Sequence, residues 1–259
     1  MTKYFLKAPH LIFAAIVILA SSAAGQKNTS WTEIARKDAE KTLSESPWAK
    51  TQIDTDTSEM FFSPTKPGTS SIGQSSASRA PAAGQTAINN NRSDQGATNQ
   101  AVSVNYHIRF LSARPVREAI SRIAMLESTS QPADFVELMQ PFVDRDFGPF
   151  VVLTVNFDST DGRFSGPVLQ AFSSATADTL KNKTYLERKD GKRIYLMDYR
   201  APQNDPLGAK FVFQRASEAG PFLNENSGSV RFYSEVGAKI KLNVTFRISE
   251  LIYNGKLEY

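Results

Sequence analysis

Cysteine is absent from all 259 residues, which removes disulfides, thiolate metal sites, thiol nucleophiles and a lipid anchor on a processed N-terminal cysteine. Histidine is scarce: His10 and His107 are the only two, so zinc sites built on two or more His or Cys ligands are excluded. Three sequence signatures of phosphate cradles and nucleophile elbows, GxGxxG, GxxxxGK[ST] and GxSxG, are missing as well. Beyond the N-terminal leader no apolar run approaches the roughly 20 residues that span a bilayer. A dominant charge is lacking too, since 30 Lys and Arg stand against 26 Asp and Glu, a balance that gives nucleic acid no electrostatic footing as a partner.

What is present begins with that leader. Lys3 and Lys7, the apolar run Leu11 to Ala20 and the small residues Ser21 to Gly25 follow the order of a secretory signal. Residues 1–24 therefore predict a cleaved signal peptide and a soluble or peripheral product, periplasmic or extracellular. An exported domain without cysteine fits a bacterium better than a eukaryotic secretory route, where small domains lean on disulfides. Between Ser63 and Ala101 every residue is Ser, Thr, Pro, Gly, Ala, Gln or Asn except Lys66, Ile72, Arg79, Ile88, Arg92 and Asp94. Such a stretch cannot bury enough apolar surface to offset its conformational entropy and is expected to be a disordered insertion. It separates an N-terminal helix and strand, residues 25–62, from a main domain over residues 102–259.

Periodicity supplies the elements. Thr32 to Ser44 reads as a helix with Thr32 as its N-cap, stopped by Pro47. Thr51 to Asp56 is weakly strand-like. Val104, Tyr106, Ile108 and Phe110 share one face of a strand whose other face carries Asn105, His107 and Arg109. Pro115 opens a helix with a Val116, Ile120, Ile123 stripe, from which Arg117, Arg122 and Glu127 point away. A short helix follows Asp134, and Phe150 to Val155 reads as a strand covered on both faces. The turn Asp158 to Gly162 ends it, and Pro167 starts a helix bearing Val168, Phe172 and Leu180. From Lys183 onward the chain reads as strands, with a hairpin turn at Lys189 to Lys192 and unbroken alternation from Lys239 to Ile248. Helices followed by hairpin-spaced strands predict an α+β class, an antiparallel sheet or sandwich packed with two or three helices.

Four segments taken together, WTEIARKDAEKTLSESPWAK (Trp31 to Lys50), RFLSARPVREA (Arg109 to Ala119), Phe150 to Val155, and Val230 to the closing YNGKLEY, resemble a group of uncharacterised exported proteins of acidobacterial type. Members of that group carry a signal peptide and a low-complexity insertion after the SPWAK segment. The resemblance implies export and a shared fold, and it brings no activity, cofactor or substrate with it. The insertion here is rich in Ser, Ala, Asn and Gln where the group is expected to use mostly glycine.

Candidate chemistry is sparse. Asp144 with Asp146, and Asp158 with Asp161, are the carboxylate pairs from which a hydrolase could be built, and turn chemistry explains the same residues. A loop begun at Asn156 places Asp161 where an EF-hand needs glycine and Pro167 where it needs glutamate, so no metal or other cofactor is expected. His107 is the one histidine that a triad could use after leader removal, and a solvated strand histidine is the plainer reading. Arg109, Arg114, Arg117 and Arg122 form a basic stripe that could meet a polyanion, or merely wet one helix face. Trp48 is either an interface anchor or the residue that pins the N-terminal helix to the domain. The residues point to a non-catalytic envelope protein that binds or assembles with an unknown envelope protein or polymer. The alternative is a carboxylate-dependent hydrolase of an envelope or extracellular polymer.

Overall fold

The last long strand shows how sequence period becomes architecture. From Ile240 to Arg247 every second residue is buried, so Ile240, Leu242, Val244 and Phe246 face inward while Lys241, Asn243, Thr245 and Arg247 are exposed. A strand with one apolar face needs a second layer to cover it, and here that layer is another antiparallel sheet. The computed structural model describes residues 30–56, 102–128, 134–159, 162–203, 205–217 and 220–259. The expected leader, the insertion over 63–101 and Asp161 lie outside the described residues.

In chain order the elements are α1 (Arg36–Ser44), β1 (Ala49–Asp56), β2 (Val102–Phe110), α2 (Arg114–Glu127), α3 (Phe135–Val143), β3 (Phe150–Ser159), α4 (Gly162–Ser174) and α5 (Ala177–Leu180). There follow β4 (Thr184–Arg188), β5 (Arg193–Tyr195), β6 (Asp198–Arg200) and β7 (Ala209–Gln214). The chain closes with β8 (Ala216–Ser217), β9 (Gly220–Pro221), β10 (Ser229–Val236), β11 (Ile240–Arg247), β12 (Ile252–Tyr253) and β13 (Lys256–Leu257). One sheet has the order β1-β2-β3-β7-β6 and the other β11-β10-β4-β5, antiparallel throughout. The fold is α+β, a two-sheet sandwich with helices on the outside of the first sheet and at one end.

Between the sheets lies a core of aromatic and β-branched side chains. Phe110 of β2 meets Phe246 of β11 edge-on at 4.7 Å, and Phe211 of β7 meets Phe232 of β10 at 5.4 Å, contacts that favour T-shaped geometry and lock the two layers in register. The chain changes sheet between β5 and β6, where Leu196 N–H donates to Thr184 O at 3.0 Å in one layer and Met197 N–H donates to Val212 O at 2.9 Å in the other. At the opposite margin, the side-chain amide of Gln52 on β1 donates to Lys241 O and accepts from Asn243 N–H, both at 2.7 Å, so one side chain spans from the edge of one sheet to the edge of the other.

Several expectations need correction. The helix over Thr32 to Ser44 is two pieces, a 3-10 turn at Trp31–Glu33 and α1 from Arg36. The break falls where Ile34 O accepts the Arg122 guanidinium at 2.6 Å instead of a helical N–H, and where buried Trp31 donates its indole N–H to Gln140 at 3.0 Å. Helix α4 begins at Gly162 rather than Pro167, placing an exposed proline in its second turn. Asp158 and Ser159 are strand residues and not turn residues, paired with Asn105 and Val104 of β2. Of the three residues expected to point away from α2, Arg117 is buried at only 4% exposed, because α1 and α3 pack on this helix, whereas Arg122 is half-buried and Glu127 is exposed as expected. Strand β3 is buried on both faces from Val151 to Val155, as its continuous apolar run predicts.

Candidate functional site

The end of α3 and the loop to β3, Asp144 to Pro149, bring together four of the residues singled out in the sequence. Asp144 and Asp146 line a recess of about 450 Å³ with Arg114 and Arg117 of α2, joined by Arg145 from the same loop, Arg215 after β7, and Glu258 near the last strand. The loop is tightly held. Asp146 Oδ1 accepts from Gly148 N–H at 2.8 Å, Gly148 sits at φ +54°, and Pro149 O accepts from Arg215 N–H; that left-handed turn suits glycine.

Charge in the recess is unevenly neutralised. Arg114 donates to Glu118 at 2.8 Å and pairs with Asp144 at 2.9 Å. Buried Arg117 instead donates to three main-chain carbonyls, Val143 O at 2.9 Å, Leu111 O at 3.0 Å and Ser112 O at 2.6 Å. Among the described residues it has no carboxylate within ion-pair distance. Desolvation pulls its pKa below the usual arginine value, against the more distant charges of Glu258, Glu118 and Asp144; the neighbouring Arg114 charge adds to the lowering. Arg215 is held by Phe150 O, a main-chain oxygen of Tyr259 and the Tyr259 ring. Exposed Arg145 makes no ion pair among the described residues; its guanidinium lies 5.2 Å from the Phe147 ring centroid, and that of Arg117 lies 5.3 Å from it, within cation–π range. Of the carboxylates, Asp144 is bound by Arg114 and Gln140, while Asp146 and Glu258 accept main-chain N–H groups from Gly148 and Arg114.

Arg145 and Phe147 also line a neighbouring groove of about 590 Å³ on the outer face of the first sheet. Its floor is apolar, with Leu111, Phe142, Phe150, Val152 and Val212, and exposed Met197 stands at the side. Its charges other than Arg145 pair off, Arg200 with Asp198 at 3.5 Å and Lys210 with Asp205 at 2.8 Å.

His107 and Asp158 meet elsewhere on that outer face because the β2–β3 register sets Asn105 opposite Asp158 and His107 opposite Asn156. His107 Nε2 lies 2.6 Å from Asp158 Oδ2, Asn105 donates to Asp158 Oδ1 at 2.8 Å, and His107 Nδ1 lies 3.0 Å from Thr51 Oγ1. Thr51 Oγ1 donates its proton to Ser44 O at 2.9 Å, so its hydroxyl is not poised to give that proton to the imidazole, as a triad nucleophile must. Partial burial opposes ionisation of Asp158, but the hydrogen bonds from His107 and Asn105 and the charges of His107 and Arg109 outweigh it and hold the carboxyl below its ordinary 3.8. Arg109 donates to Leu43 O at 2.6 Å, and burial lowers it to about 10 against the pull of Asp158.

The remaining candidates serve packing. Trp48 is buried, donates its indole N–H to Glu258 O at 2.8 Å and meets Tyr253 edge-on at 6.0 Å; it pins the N-terminal segment to the chain end and presents no ring to a partner. Arg122 holds Ile34. A row the sequence did not single out, Tyr233, Tyr185 and Tyr195, crosses the outer face of the second sheet, yet its rings are taken by one another and by Arg193 and Arg231. Arg145, Phe147, Arg215 and Glu258 also escaped sequence reading. The charge-rich, Gly-Pro-punctuated run Asp144 to Pro149 was the one local signal of that site. Among the described residues no three His, Asp or Glu side chains gather as a metal site, and no helix is long and apolar enough to cross a membrane. No protein family matches the chain, and no curated protein or solved structure is significantly similar to it.

Proposed function

We propose that this chain is an exported, non-catalytic module of a bacterial envelope, periplasmic or extracellular, whose work is to bind or assemble. The observation that carries the reading is how the described candidate carboxylates are employed. Asp144 is bound by Arg114 and Gln140, Asp146 closes the turn at Gly148, and Asp158 is bound by His107 and Asn105 and held below its ordinary pKa. A general acid works with a raised pKa and a free approach to the scissile bond, and these three have structural partners instead. Two neighbouring recesses share Arg145 and Phe147, one with an apolar floor and the other lined by arginines and carboxylates, a combination of apolar lining and a few polar groups that suits a binding site.

The test is retention without turnover. The purified chain, incubated with isolated envelope fragments, is expected to sediment with them and to release no soluble fragment. Release by the parent chain that Asp144→Asn, Asp146→Asn or Asp158→Asn abolishes would establish the hydrolase instead, and failure to sediment would remove the envelope partner. Intact mass of protein recovered outside the cytoplasm is expected to begin near Gly25; full-length chain in the membrane fraction would refute export.

A further inference from the structure

We infer that the arginine recess and the adjoining groove together form one site for a single-chain anionic amphiphile, with its head group at Arg145 and its hydrocarbon chain along the floor of Leu111, Phe150, Val152 and Val212. The inference rests on the binding reading above and names the ligand class.

Three observations converge on it. Among the described residues, Arg117 and Arg145 are the guanidiniums of the recess with neither a carboxylate within ion-pair distance nor a Tyr259 oxygen bound. Arg117 is 4% exposed, and its hydrogen bonds all go to main-chain carbonyls, so an anion beside it adds the close counter-charge that favours a buried ion. Arg145 and Phe147 are common to both recesses, which places the uncommitted charge at the mouth of the apolar groove. The groove's own rim charges cancel in pairs, Arg200 with Asp198 and Lys210 with Asp205, so they offer no second ionic anchor. One charged end and one apolar body are what this lining complements. Asp146 and Glu258 are also in the recess, each bonded to a main-chain N–H, and they favour a singly charged carboxylate over a doubly charged phosphate.

Calorimetric titration of the purified full-length chain with octanoate and decanoate below their micelle concentrations, with decanol below its solubility limit, and with inorganic phosphate, tests the assignment. Decanoate is expected to bind at one site, with each added methylene tightening Kd about three- to fourfold, and decanol to bind at least about tenfold more weakly. Arg145→Gln, at an exposed position, is expected to cost decanoate about tenfold and leave decanol unchanged. Met197→Glu, beside the groove, is expected to weaken both. Equal affinity for decanoate and decanol, indifference to Arg145→Gln, or phosphate binding as tight as decanoate would each overturn the proposal. Sedimentation with phosphatidylglycerol vesicles that depends on Arg145 would locate the anion in a bilayer and overturn the free amphiphile. Absence of decanoate binding alongside retention on envelope fragments would sink this ligand and leave the binding reading standing.

Discussion

Arg117→Met separates a structural from a merely wet arginine. Methionine keeps most of the apolar stem but leaves Val143 O, Leu111 O and Ser112 O without the guanidinium they now share. Hydrogen bonds to a charged donor are worth about 1.5–3 kcal/mol each, so three of them approach 5–9 kcal/mol. Against this stands the several kcal/mol cost of burying a charge, which methionine relieves. The balance is a loss of about 3–5 kcal/mol, since each stranded carbonyl costs about 1–3 kcal/mol. In a body of this size each kcal/mol moves Tm by about 2–4 °C, giving a fall of roughly 6–20 °C in a calorimetric melt. Arg122→Met is the control: it removes one part-buried carbonyl bond, to Ile34 O, and a weak contact to Met125 Sδ, and is expected to cost about 1.5 kcal/mol, the low end of the range for a charged donor. If the two variants melt together, Arg117 does not organise the junction of α2, α3 and β3, and the account of its burial is wrong.

Two further outcomes are expected. Val244→Asp places an unpaired charge between the sheets opposite Phe232 and should leave little folded protein, whereas Asn243→Asp on the exposed face should melt close to the parent; equal effects by circular dichroism would refute the strand's facing. Asp158 has a folded pKa below its unfolded value, so its contribution to stability is present above about pH 4 and lost as pH falls through the folded pKa. The Tm gap between the parent and Asp158→Asn should therefore close on acidification, and a gap unchanged between pH 7 and pH 3 would contradict the His107 pairing.

Strand β11 was legible because one buried face imposes a period of two on adjacent residues, and the burial follows it at every position. The Lys189 to Lys192 turn was legible for the same local reason, joining β4 to β5 in antiparallel register. Arg117 was not, since an arginine beside an apolar stripe reads as solvated until α1, from the far side of the insertion, and α3, the next helix, are packed on its helix. The His107–Asp158 contact depends on strand register across 51 residues of sequence, which side-chain alternation alone leaves open. The recess at Asp144 to Pro149 is assembled from α2, one loop, the end of β7 and the residues around β13. Composition marked two of its carboxylates and none of the geometry that neutralises them. Gly208 is a smaller instance: its φ of +74° and the approach of a Cβ there to 2.3 Å from Val155 O follow from the β3–β7 pairing, not from the neighbouring residues.

Gln52 has a bearing on how molecules of this protein meet one another. An outermost strand normally presents a ladder of vacant donors and acceptors on which a second chain can template itself. The Gln52 amide, with one donor and one acceptor set like those of a peptide unit, occupies Lys241 O and Asn243 N–H in the first half of β11 and stands in for a strand that is not there. Its role is thus as much social as structural: it denies β11 an uninterrupted run for intermolecular pairing, at a position where the loss of two solvent-accessible hydrogen bonds would barely alter the melt yet would open a seam for self-association.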